Sequence, residues 1–164
     1  MSKAVIEALA ARFPGDVYEP YEGVGGDDAI FVRKSEIARV CKFLKTEPAM
    51  AFHMAPYITA VDYLGLEPRF EIVYNLLSTT QNHRVRLRVK VSESDLEVPT
   101  VTGVWRGADW FERYCLDMYG IRFKGHPDPR RLLMYDEFVG HPLRKDYPKE
   151  KRQPLVRRDP GRVD

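Results

Sequence analysis

The 164-residue chain predicts an α+β domain followed by an extended, basic, Pro/Gly-rich C-terminal strap, and three observations carry that prediction. Residues 83–91 alternate without a break: Val85, Leu87, Val89 and Val91 point one way, Arg84, Arg86, Arg88 and Lys90 the other. That period of two describes an antiparallel sheet with one buried face. Helical stripes lie on both sides of the strand region, at 35–46 and 107–119. Beyond Gly120 all periodicity stops, and six of the twelve prolines fall in residues 121–164. The chain therefore divides into an α+β domain over 1–120 and a docking arm over 121–164.

Taken in order, residues 2–13 form an amphipathic helix, with Val5, Leu9 and Phe13 at i, i+4, i+8. Ser2 can cap it, and Pro14-Gly15 stops it. Residues 19–28 are loop chemistry. Ala29 to Arg33 reads as a short strand leading into a helix over 35–46, where Ile37, Val40, Cys41 and Leu44 make the apolar stripe and Arg39, Lys42 and Lys45 the wet face. Residues 50–63, 69–78 and 83–91 are strand candidates, with a hairpin loop at 78–82. A further short strand falls within 98–104. The helix over 107–119 places Trp110, Tyr114, Cys115 and Met118 on one stripe. His126, Asp128, His141 and Tyr147 each precede a proline, which biases them to extended geometry. Tyr135 to Phe138 can form one helical turn.

Hydrophobic residues make up 44% and charged residues 30%, an ordinary globular composition. No apolar run is long enough to span a bilayer, and the N-terminus lacks a secretory or transit pattern, so the expectation is a protein that stays in the cytosol without direct membrane insertion. Two cysteines, Cys41 and Cys115, are too few for a thiolate zinc site or a self-contained iron–sulfur cluster. Residues 1–120 hold 14 Lys/Arg and 17 Asp/Glu, whereas residues 121–164 hold 12 and 7. A mildly acidic body thus carries a basic tail, which favours an anionic partner.

Chemistry-bearing patterns are sparse. His126 and His141 sit in matching Gly-His-Pro triplets, without carboxylates at ligand spacing. Glu112 and Asp117, five apart on a helix, lie about 140° around it and make no carboxylate pair. Gly23-Val24-Gly25-Gly26 lacks the Lys-Ser/Thr of a phosphate loop. No catalytic, cofactor-binding or metal-ligating residue is assigned. The basic strand face has two readings, a surface for nucleic acid or a partner and a solvated sheet face that discourages edge pairing; no aromatic platform is interleaved with its charges. The strap also has two. Arg130-Arg131 and Arg144-Lys145 lie in backbone that prolines already restrict, so a docking arm loses less entropy on binding, and guanidinium groups can fork onto carboxylates. The alternative is a tail folded back on its own domain.

The runs Trp110-Phe111-Glu112-Arg113, Asp117-Met118-Tyr119-Gly120-Ile121-Arg122-Phe123, Gly125-His126-Pro127-Asp128, Arg130-Arg131-Leu132-Leu133-Met134 and Gly140-His141-Pro142-Leu143-Arg144-Lys145-Asp146-Tyr147-Pro148 follow one another in an order that resembles the C-terminal signature of one family. It is the 30 kDa subunit family of NADH-quinone oxidoreductase, respiratory complex I, in its bacterial form. Tyr114 stands where that family usually has Glu, and Pro129 where Leu is common. The resemblance implies a two-layer fold with a mixed, mostly antiparallel sheet and helices on one face. It implies a structural subunit of the peripheral arm on the cytoplasmic side of the inner membrane, within a proton-pumping NADH:quinone oxidoreductase. It implies no cofactor in this chain, with FMN, iron–sulfur clusters and quinone held by partner subunits. The strap would run over the quinone-site subunit, beside iron–sulfur subunits, with Arg130, Arg131, His141, Arg144, Lys145 and Asp146 at the interface. Two other assignments remain: a homologous subunit of a membrane-bound hydrogenase or formate hydrogenlyase, and a free basic nucleic-acid-binding module.

Overall fold

The computed structural model describes residues 2–21 and 29–154, with side chains described from Val5 onward. The Ser2 cap, the Gly23–Gly26 run and residues 155–164 lie outside the described residues or side chains.

The elements follow in the order α1 (Ser2–Arg12), β1 (Tyr18–Tyr21), β2 (Ala29–Val32), α2 (Ile37–Thr46), β3 (Met54–Asp62), β4 (Phe70–Ser78), β5 (His83–Val91), β6 (Glu97–Pro99), α3 (Ala108–Tyr119) and β7 (Arg122–Lys124). Strands β1 to β5 form one sheet in the order β1-β2-β5-β4-β3. The β1–β2, β4–β5 and β3–β4 pairs are antiparallel, whereas β2 runs parallel to β5, with Ile30 opposite Leu87. The sheet is thus mixed and mostly antiparallel.

Alternation decides which face is inside. Val85, Leu87, Val89 and Val91 of β5 are buried, as are Phe70, Ile72, Tyr74 and Leu76 of β4. They share one apolar cluster with Val5 and Leu9 of α1, Ile37, Val40, Cys41 and Leu44 of α2, and Ala108 and Cys115 of α3. The helices therefore cover one face only, and Arg84, Arg86, Arg88 and Lys90 lie on the other. Trp105 ties the layers together by donating its indole N–H to the Phe52 carbonyl at 3.1 Å.

Three expectations are corrected. Residues 19–21 are strand, not loop, because β1 finds β2 as a partner that no local pattern announces. Residues 122–124, where no periodicity announces an element, form strand β7, which pairs in parallel with β6, Val98 opposite Phe123. Helix α3 is rotated from its apolar stripe: Trp110 is 62% exposed, while Glu112 and Asp117 are fully buried. Both carboxylates have found donors from distant segments, which removes the penalty that ordinarily keeps acids outside.

Candidate functional site

The C-terminal end of α3 organises everything that follows it. An α-helix leaves its last four carbonyls without intrahelical partners, and here all four are capped. Gly120 N–H donates to Leu116 O at 2.9 Å, and Leu143 N–H to Met118 O at 3.2 Å. His141 Nδ1 lies 2.9 Å from Asp117 O and so carries the proton. Arg144 Nε donates to Tyr119 O at 2.7 Å, placing a cation at the negative end of the helix dipole. Three of these caps come from the strap. Gly120 makes them possible. Its φ of +78° turns the chain out of the helix, and a Cβ there would lie 2.6 Å from His141 Nε2 and 2.7 Å from Arg144 Nη2.

Asp117 supplies the second anchor. Its Oδ2 accepts the backbone N–H groups of Leu132, Leu133 and Met134 at 3.2, 2.7 and 2.9 Å. Its Oδ1 accepts Arg131 Nη1 at 2.7 Å. Burial alone would raise this carboxyl, but the Met134 and Leu133 N–H donors, together with Arg131 and Leu132, hold it below the ordinary carboxylate range. Arg131 also donates through Nη2 to Phe138 O at 3.0 Å. Arg113, one turn before Asp117, donates to the carbonyls of Arg130 and Arg131 at 3.1 and 3.0 Å.

The third anchor is Arg69, 5% exposed at the start of β4. Its guanidinium forks onto both oxygens of Asp62 at 2.9 Å and reaches Glu93 at 2.7 Å and Asp146 at 2.9 Å. Asp62 Oδ2 also accepts the Lys145 N–H at 2.8 Å. The Asp62 and Asp146 bonds raise the Arg69 pKa further above its usual value, and Arg69 in turn lowers the pKa values of Asp62 and Asp146. Further along, Gln153 pairs with both the N–H and the carbonyl of Val139, at 2.9 and 2.7 Å, and donates to the Tyr147 hydroxyl at 2.8 Å. The Phe138 and Tyr147 rings stack at 5.9 Å.

The six residues expected at an interface therefore all have partners within the chain. Arg131, His141 and Arg144 hold the strap to α3, and Asp146 holds it to Arg69. Arg130 is paired through two bonds with Asp128, at 2.7 and 2.9 Å. Lys145 is held through its backbone, and its side chain is exposed. Along residues 125–154 these bonds run to α3, Asp62 and Arg69. Asp117, Arg69, Asp62 and Arg113 escaped sequence reasoning. Asp117, an acid three residues before the helix-ending Gly120, was the one available signal. The partners of Arg69 lie 7, 24 and 77 positions away.

His126 is held differently from His141. It accepts the Asp128 N–H on Nδ1 at 3.0 Å and faces Asp109 O through Nε2 at 3.3 Å. Among the described residues no three His, Cys, Asp or Glu side chains gather to hold a metal ion. On the open sheet face, Arg88 bonds Glu71 and the Tyr63 hydroxyl and lies over the Tyr21 ring at 4.2 Å. Lys90 lies over Phe31 at 4.3 Å. Aromatic rings do accompany these cations, supplied by β1 and β2 rather than interleaved along β5.

Residues 30–153 match the family model described as respiratory-chain NADH dehydrogenase, 30 Kd subunit. The chain is 46% identical over 147 residues to a NADH-quinone oxidoreductase subunit of Geotalea uraniireducens, covering 90% of this chain and 87% of that one. It is 44% identical over 144 residues to the NADH-quinone oxidoreductase subunit of the same name from a Roseiflexus species, covering 88% and 82%. Among solved structures it resembles a trypsin-resistant fragment (1–134) of Nqo5, with a TM-score of 0.62 and 30% identity over 78% of this chain and 99% of that one. A chain of an archaeal respiratory membrane complex, the membrane-bound sulfane sulfur reductase, shares the fold with a TM-score of 0.72 at 19% identity, over 99% and 98% of the two chains.

Proposed function

Because this chain belongs to the respiratory-chain NADH dehydrogenase 30 kDa subunit family, we propose that it acts as a non-catalytic structural subunit of the peripheral arm of NADH:quinone oxidoreductase. It docks onto the quinone-site subunit and neighbouring iron–sulfur subunits, on the cytoplasmic side of the bacterial inner membrane. FMN, iron–sulfur clusters and quinone belong to those partners, and the contribution of this chain is positional. One observation carries the reading: Arg131, His141, Arg144 and Asp146 of the strap are committed to partners on its own domain. A segment so held presents a fixed surface to a neighbour, and its ordering entropy is already lost before docking. No helix of the described residues is long and apolar enough to cross a membrane, in keeping with a peripheral position.

The test is purification of a tagged copy from detergent-solubilised membranes of the native host. Recovery of iron–sulfur and quinone-site subunits with NADH:quinone activity supports the assignment. A set of hydrogenase subunits would replace it with the homologous assembly, and recovery of the chain alone would refute it. The nucleic-acid reading draws on the cations over Tyr21 and Phe31. It requires affinity for a single-stranded oligonucleotide that falls steeply with salt, and no binding at low salt removes it.

A further inference from the structure

Asp117 and Glu112 are both fully buried on α3, but they are compensated differently. Asp117 is bonded to the Arg131 guanidinium. Glu112 takes the Val101 N–H on Oε1 at 2.7 Å and the Thr100 hydroxyl on Oε2. Its charged or titratable neighbours are Asp109 and Cys115 on α3, Cys41 on α2, Tyr74 on β4 and His126 from the strap. Arg113 lies close by, but its guanidinium is turned to Asp128 and to the Arg130 and Arg131 carbonyls. An ionised carboxylate in such surroundings is costly unless water reaches it.

His126 stands between Glu112 and that water. Its side chain is 2% exposed, with Nε2 3.9 Å from Glu112 Oε2. The same nitrogen is 3.6 Å from Asp109 Oδ1, an oxygen buried without a hydrogen bond. Glu112 and His126 line a shared cavity with Arg113, Leu116, Phe123 and Pro129. It measures about 10 Å³, the lower limit for a single water. The ring is pinned by the Asp128 N–H on Nδ1 at 3.0 Å, so its own proton sits on Nε2, facing the Asp109 carbonyl. The ring cannot neutralise Glu112 in place, because a second proton on Nδ1 would take the lone pair that holds Asp128. The backbone carrying it is lightly tied. His126 N–H bonds Phe123 O at 3.1 Å, and the strap is next fastened to α3 at Arg130 and Arg131.

We propose that residues 125–129 are a pH-operated latch: protonated Glu112 keeps the His126 ring closed over it, and ionisation of Glu112 swings the ring away, admits water and breaks the bond from Asp128 N–H. The proton leaves through Thr100, whose hydroxyl accepts it from Oε2 and turns its own hydrogen to Thr102 Oγ at 2.9 Å, on the wall of an open groove. The direction with pH follows from the two states. Burial pushes the closed Glu112 up to about 7, whereas a hydrated group returns to about 4.5. The closed form holds its proton more tightly, so it is favoured fully below pH 4.5 and loses ground as pH rises to about 7. Across that window the ratio of open to closed rises by about two orders of magnitude. The latch belongs to this chain itself, and its test is independent of the assignment to a complex.

NMR on the purified full-length chain, titrated from about pH 4 to 8, tests it. The Glu112 carboxyl ¹³C shift and the Asp128 amide shift should move together, with one midpoint between about pH 5 and 7. A Glu112 midpoint at its ordinary value of about 4.5, or a Glu112 titration that leaves the Asp128 amide in place, overturns the latch. Glu112→Gln should abolish the Asp128 response in this range. A response that persists belongs to His126 alone and overturns the proposal. His126→Ala decides the matter even where the Gln variant does not fold. Removing the ring should lower the Glu112 midpoint by about one pH unit or more, and an unchanged midpoint means that His126 does not guard the carboxyl.

Discussion

Replacing Asp117 with Ala should release the strap from α3 before it unfolds the domain. The carboxylate receives three backbone N–H groups and the Arg131 guanidinium. A hydrogen bond to a charged group contributes about 1.5–3 kcal/mol net, but four bonds on one carboxylate do not add independently. Breaking a buried ion pair costs roughly 3–5 kcal/mol. Arg131 retains 24% exposure, so water offsets part of its loss and the lower end, about 3 kcal/mol, is the better figure. Local opening governs a segment that can detach alone, and a loss of that size raises the undocked population roughly a hundredfold. Trypsin reads this directly, because Arg130, Arg131, Arg144 and Lys145 are its targets and the Arg131 and Arg144 side chains are held at α3. Cleavage in residues 130–145 should accelerate by about that factor while the far-UV spectrum is retained. Cleavage rates within about threefold of wild type would refute the claim that Asp117 holds the strap. The pH dependence supplies a second check. The Asp117 pKa is depressed in the folded chain, so its stabilisation is complete above the unfolded value of about 3.9 and disappears as pH falls through the lower folded value. The Ala variant should lose that part of the acid sensitivity.

Gly120→Ala should cost about 2–3 kcal/mol, combining a left-handed φ with the displacement of His141 and Arg144, read as a lower urea midpoint and faster strap cleavage. Arg69→Ala leaves the buried Asp62 without its guanidinium, and a loss of roughly 3–5 kcal/mol is expected; Arg69→Lys should rescue little of it, because an ammonium cannot fork onto Asp62. Glu112 is buried, and burial pushes its pKa to about 7 against the Thr100 and Val101 donors that lower it. A raised folded value means the native state binds the proton more tightly, so the stability contributed by Glu112 falls as pH rises from about 4.5 to 7. Glu112→Gln keeps an acceptor for Val101 and should flatten that slope in urea titrations; an unchanged slope would assign the pH dependence elsewhere.

The sheet was legible because its information is local. The alternation of β5 from Val85 to Val91 states both the strand and its buried face, and a period of two survives whatever packs against it. The same holds for α2, whose apolar stripe coincides with its buried face. Helix α3 shows where local reading stops. Its apolar pattern placed Trp110 inside, but two carboxylates took the buried positions because Thr100, Val101 and the strap backbone supply donors that spacing along the helix cannot reveal. Strands β1 and β7 were missed for a related reason: each is short and is stabilised by a partner rather than by its own pattern.

The family signature also lies in the sequence, since the motifs from Trp110 to Pro148 keep their order and type without reference to any contact. What those residues do is a different matter. Sequence established that residues 121–164 are basic, proline-restricted and without regular periodicity, because those properties are compositional. Only the tertiary structure decided which way the charges point. Arg131 and Arg144 turn inward because a buried helix terminus and a buried Asp117 require donors and cations, whereas Leu133 and Val139 face solvent. That choice depends on groups brought together from residues 62, 69, 93 and 117, and no local pattern encodes their meeting.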